Sequence, residues 1–177
     1  MEINIENIKA AYNTADESGV KILRMLVPNL DEIIPVKDRI KTLADACNAL
    51  GRLHPLVENL ANLKSYDKNL FAFVQLRIIC AALNEGWIAK PVDVGGYYPG
   101  FEYFTSEDIK GVEEMSDDLY FLEPKFDTKY VAVDCTFTSS LTSENCLVLK
   151  TPELAKYCGK QFIDLWMDYL LPIKEND

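Results

Sequence analysis

Residues 70–87, LFAFVQLRIICAALNEGW, decide the fold. Only Gln75 and Arg77 interrupt the apolar run from Leu70 to Leu83. A surface helix keeps about half of its circumference polar, so a helix this apolar must be covered on several sides. Spanning a bilayer takes about 20 apolar residues, and this run is too short and too interrupted. It predicts a central buried helix, with Gly86 supplying the left-handed terminal conformation that a side chain resists. Arg77 and Asn84 share one face of that helix. They form either a polar seam that reaches solvent or an inward Arg77 paired with a carboxylate or an anionic ligand.

Helical spacing also governs what comes before. Residues 3–13 place Ile5, Ile8 and Tyr12 on one side of a short helix. A second helix opens at Asp16 and runs to about Val27, where Pro28 closes it. The connector 35–41 has no assignable pattern. Thr42 then caps a helix with Leu43, Ala46, Cys47 and Leu50 inward, Asp45 in its first turn and Gly51 at its end. Residues 52–66 read as irregular or weakly helical, and Asp67 starts the central helix.

After Trp87 the period changes to alternation. Gly95-Gly96 makes a turn, and 97–105 is rich in aromatic strand formers. Residues 107–118 read as a loop or ragged helix, and 119–122 as a short strand. Tyr130 to Thr138 alternates most cleanly, with Val131, Val133, Cys135 and Phe137 on one face. Ser139 to Asn145 turns the chain, and Cys146 to Lys150 is expected to return as a partner strand. Thr151-Pro152-Glu153 starts a last helix whose stripe is Leu154, Cys158, Phe162, Leu165 and Tyr169. Gly159 inside that helix implies the close approach of a neighbour, so Gly159→Leu should cost more than about 1 kcal/mol. The fold class is α+β: amino-terminal helices and a central buried helix packed with a small antiparallel sheet and a carboxy-terminal helix. The chain reads as one domain over 1–177, helical over about 1–86, with the sheet and last helix over about 87–172.

The formal charge is −10, with 18 Lys plus Arg in 177 residues, which disfavours wrapping nucleic acid. MEINIENIKA carries neither a basic start nor an apolar core, so no export signal is expected. Cys47, Cys80, Cys135, Cys146 and Cys158 are odd in number and widely spaced, as in reduced thiols of the cytoplasm.

Four stretches occur in a distinctive order: DRIKTLADACNALG (38–51), LRIICAALNEGW (76–87), YYPGFEY (97–103) and CLVLKTPELAKYCGKQFIDLW (146–166). With AYNTADESGVKILRMLVP (11–28), they resemble a family of small proteins encoded by bacteriophages and prophages, common in gut Bacteroidetes. The resemblance covers nearly the whole chain. It implies a mobile-element origin and an intracellular setting, and it brings no established activity or catalytic residues. Gly100 stands where that family often has an aromatic. Ser143-Glu144-Asn145 replaces a glycine-serine-arginine entry to a strand, so no basic contact carries over there.

The candidate binding surface is the aromatic segment: Trp87, Tyr97, Tyr98, Phe101, Glu102 and Tyr103. Aromatics with polar tips line ligand sites or stack on bases, and they are equally ordinary strand and core residues. From Phe101 to Asp127 nine acids face only Lys110 and Lys125. That is a solvated loop, a divalent-cation site, or a phosphate-like surface for a basic partner. His54 has a structural or surface role, or pairs with Cys47. Glu102 and Asp134 could be paired acids. No metal-ligand spacing, phosphate loop or nucleophile elbow is present, so no cofactor or metal is expected. The leading expectation is a non-enzymatic cytoplasmic accessory module with a protein partner, no membrane and no nucleic acid. The alternatives are a small enzyme or ligand-binding domain using residues 97–104, and a single-stranded nucleic-acid binder.

Overall fold

The first two helices are each started by a capping side chain. In the computed structural model, which describes residues 4–64, 67–89, 96–105, 119–125, 128–138 and 146–171, Asn4 caps α1 (Ile5–Thr14). Its side-chain oxygen accepts from the Glu6 backbone N–H at 2.9 Å. Asp16 does the same for α2 (Glu17–Leu26), accepting from Gly19 at 2.7 Å. Two single turns follow, α3 (Leu30–Ile33) and α4 (Val36–Arg39), the second inside the connector that the pattern left unassigned. Ile8, Val27, Leu30 and Ile34 are buried together as a small core of their own.

The predicted Thr42 cap forms as a full capping box at α5 (Leu43–Leu50). Asp45 N–H donates to the Thr42 hydroxyl at 3.1 Å, and Thr42 N–H donates back to the Asp45 carboxylate at 2.8 Å. Residues 52–66 contain two short turns, α6 (Pro55–Glu58) and α7 (Leu60–Leu63). Asp67 then caps α8 (Lys68–Asn84), accepting from Leu70 N–H at 3.1 Å. Ten of the 17 residues of α8 are buried, so it is covered on most sides, as its composition requires. Leu70 is exposed, and Phe73 and Arg77 are half-buried on the side toward the last helix.

One expectation fails at the end of α8. Asn84 is not on a solvent seam; it is 7% exposed. Its amide donates to Val148 O at 2.8 Å, and its oxygen accepts from Lys150 N–H at 3.0 Å. Gly86 takes the expected positive φ (83°), and Glu85 before it is left-handed as well (φ 49°, ψ 46°). A side chain is disfavoured there. The Glu85 carboxylate accepts from Arg39 and, at 2.9 Å, from Lys150, which holds the residue in place.

Strands β1 (Gly96–Thr105), β2 (Leu119–Lys125) and β3 (Thr128–Thr138) form an antiparallel sheet in the order β1-β3-β2. Gly100 lies opposite Asp134, and Glu102 opposite Ala132. Cys146 to Lys150 is not the expected partner strand of β3. It makes a short turn and a single bridge to the other edge of β1, with Tyr97 and Leu149 exchanging bonds of 2.9 and 2.7 Å. Because Tyr97 turns its backbone groups outward, Pro99 does too, and its missing N–H costs no bond to β3. Gly95, the loop 107–118 and the turn 139–145 lie outside the described residues.

The last helix is two helices, α9 (Pro152–Gln161) and α10 (Ile163–Leu170). Phe162 breaks them with φ −118° and ψ 32°. The break has a packing reason, since α9 lies on β1 and β3 whereas α10 lies on α8. Gly159 is where α9 meets the sheet. A Cβ there would stand 2.7 Å from Val133 Cγ1 and 2.8 Å from Pro99 Cβ. The principal core joins Ile40, Ala46, α8, Val133, Leu149, α9 and α10.

Helix propensity alone would make Gly159→Ala stabilising by about 1 kcal/mol. The close approach reverses the sign, and urea denaturation should show a destabilised variant. At Glu85 burial pushes the carboxyl up, but the hydrogen bonds from Lys150 and Arg39 outweigh it and leave it below its usual value of 4.5. A depressed folded value means that the contribution is present above pH 4.5 and is lost as pH falls through the folded value. The stability gap between wild type and Glu85→Gln should therefore be open at neutral pH and narrow below that value in acid titration.

Candidate functional site

The alternation of β1 splits the aromatic segment between two faces. Tyr97, Phe101 and Tyr103 share the face that α9 and α10 cover, and Tyr98 and Glu102 share the opposite one. Tyr97 and Phe101 pack on the principal core, and the Phe101 ring lies 5.6 Å from that of Trp166. Both are partly buried against that core. Glu102 is exposed, Tyr103 is 39% exposed, and Tyr98 is half-buried. Burial pushes the Tyr103 phenol up, so it stays a neutral hydrogen-bonding group. Trp87 stands outside the sheet, half-buried, its backbone N–H donating to Asn84 O at 2.9 Å. The six residues therefore do not converge; the exposed part is Glu102 and Tyr103 at the far end of β1.

The proposed acid pair does not form a proton-sharing dyad. Asp134 lies opposite Gly100, one diagonal step from Glu102. Lys156 Nζ sits 2.9 Å from its carboxylate. Hydrogen bonds from Lys156 and from the Cys135 backbone hold the Asp134 carboxyl below its usual value. A carboxylate kept ionised in this way does not act as a general acid at neutral pH.

Cys47 and Cys80 are not activated thiols, and His54 has a structural task. His54 is the cap of α6, its Nδ1 accepting from Leu56 N–H at 3.3 Å. Burial pushes the Cys47 thiol up, away from the thiolate. A hydrogen bond with Cys158 and then burial push Cys80 well up, and its thiol donates to Leu147 O at 3.5 Å. Among the described residues no group of three or more His, Cys, Asp or Glu side chains could hold a metal ion. Most of the acidic segment lies outside the described residues. No helix among them is long and apolar enough to cross a membrane.

Two features escaped the sequence reading. Arg39, with a side chain only 9% exposed, donates to Ile34 O at 3.0 Å and pairs with both Asp31 and Glu85. Trp166 is 3% exposed, and its indole Nε1 has no hydrogen-bond partner. One of three cations in an unassigned connector and a tryptophan in an apolar stripe carry no spacing signal that could have exposed either role.

Phe101→Ala should lose its packing on Trp166 and cost about 2 kcal/mol or more in urea denaturation. Tyr103→Ala should cost under about 1 kcal/mol, since its ring reaches solvent. No protein-family model, curated protein or solved structure matches the chain.

Proposed function

We propose that the protein is a non-enzymatic interaction module of a bacteriophage or prophage, acting on a protein partner in the bacterial cytoplasm. The observation that carries this reading is the open edge of β1. Beyond the Tyr97–Leu149 bridge that edge has no neighbouring strand among the described residues, and Glu102 and Tyr103 beside it are exposed. An open edge offers main-chain hydrogen bonds to an incoming strand, and alternate side chains read the partner. The chain's charge of −10 favours a basic partner. The helix-capping His54, the buried Cys80 and Cys158 and the ion-paired Asp134 support a module without chemistry of its own. The phage origin rests on the order of the four motifs.

The test is retention of host proteins by the immobilised chain at moderate salt. Tyr103→Pro removes an outward-facing N–H and leaves the β3 ladder intact, as Pro99 already does four positions earlier. Glu102→Lys reverses the local charge without touching the backbone. A partner held by wild type, eluted by salt and lost with both variants fits the proposal. The same proteins held by all three chains, or no partner together with turnover of a metabolite, contradicts it.

A further inference from the structure

We propose that Arg77 and Trp166, brought to one level where α8 packs on α10, receive the carboxylate of a small apolar organic acid. The two helices run in opposite senses. Asn69 at the amino end of α8 donates to the carbonyls of Asp168 (2.8 Å), Tyr169 (3.1 Å) and Leu171 (3.1 Å) at the carboxyl end of α10. One turn further along α8, the Phe73 ring meets Tyr169 with centroids 5.5 Å apart. The next turn brings Arg77 on one helix and Trp166 on the other to the same level.

Both groups at that level are donors, and neither has a hydrogen-bond or ion-pair partner among the described residues. The Trp166 indole N–H is buried with no acceptor. Arg77 is half-buried, its guanidinium carbon 6.0 Å from the centre of the Phe73 ring. It forms no ion pair among the described residues, although the chain has 28 acids to 18 bases. A buried donor left unmade is costly, and an accepting oxygen recovers that cost. The surroundings are rings: Phe73, Tyr169 at 6.2 Å from Trp166, and Phe101 at 5.6 Å. One guanidinium plus one neutral N–H in an apolar frame balances a single negative charge, and a doubly charged phosphate would be left undercompensated. The complement is a carboxylate on a flat or aliphatic body. This site is on the α8–α10 face and does not depend on the open edge of β1.

The test is a titration of the full-length, 15N-labelled chain with 1-naphthoate and with its neutral amide. The Trp166 indole resonance is identified by comparison with Trp87→Phe. The expected result is a saturable downfield shift of that resonance with naphthoate and a weaker response to the amide. Arg77→Gln, with an unchanged thermal transition, should raise the apparent Kd about tenfold or more, the scale of one lost charge-assisted hydrogen bond. An indole resonance unmoved by naphthoate overturns the proposal. So does one that responds equally to the amide or equally in Arg77→Gln.

Discussion

The side-chain amide of Asn84 holds the two halves of the molecule in register. It is buried, and it bonds the carbonyl of Val148 and the N–H of Lys150 at 2.8 and 3.0 Å. Leu149, between them, gives both of its backbone groups to Tyr97. The segment is thus strung between helix and sheet, with an asparagine standing where a further strand would be. Few contacts join α8 to the sheet directly; α9 and this segment make the connection. Removing the amide would leave two backbone groups without partners in a buried setting, at roughly 1–3 kcal/mol each.

Charge continues what the amide begins. Glu85, next in the chain, adopts a left-handed conformation that a side chain resists, and Arg39 and Lys150 fix its carboxylate. Arg39 also reaches Asp31 and the carbonyl of Ile34, tying the small core of α1–α3 to the end of α8. That small core is not continuous with the principal one, and α2 leaves Ile22, Met25 and Leu26 exposed. The amino-terminal helices rest on a polar tether and limited burial, which makes them the segment expected to open at the lowest local cost.

Where local chemistry set the structure, the sequence was readable. Thr42 with Asp45, Asp67, and Thr151 with Pro152 each began the helix that their side chains predict, and the alternation from Tyr130 marked β3. Gly159 announced a close contact that the sheet supplies. The failures share a cause: a one-dimensional pattern does not reveal which neighbour answers it. CLVLK looks like a strand, yet its backbone is bonded to a side chain 64 residues earlier. The stripe from Leu154 to Tyr169 looks continuous, yet its two halves face different layers and break at Phe162. In the same way the aromatic run on β1 combined rings partly buried against the core, Tyr97 and Phe101, with surface ones. The donors at Arg77 and Trp166 became visible together only through the antiparallel packing of α8 and α10.

The most direct test of the central role of Asn84 is hydrogen exchange at the Leu149 and Tyr97 amides, measured with global stability in wild type and Asn84→Ala. The account predicts a loss of about 2–4 kcal/mol, with protection of both amides falling at least in step. A stability change below about 0.5 kcal/mol, with both amides still protected as in wild type, would contradict it.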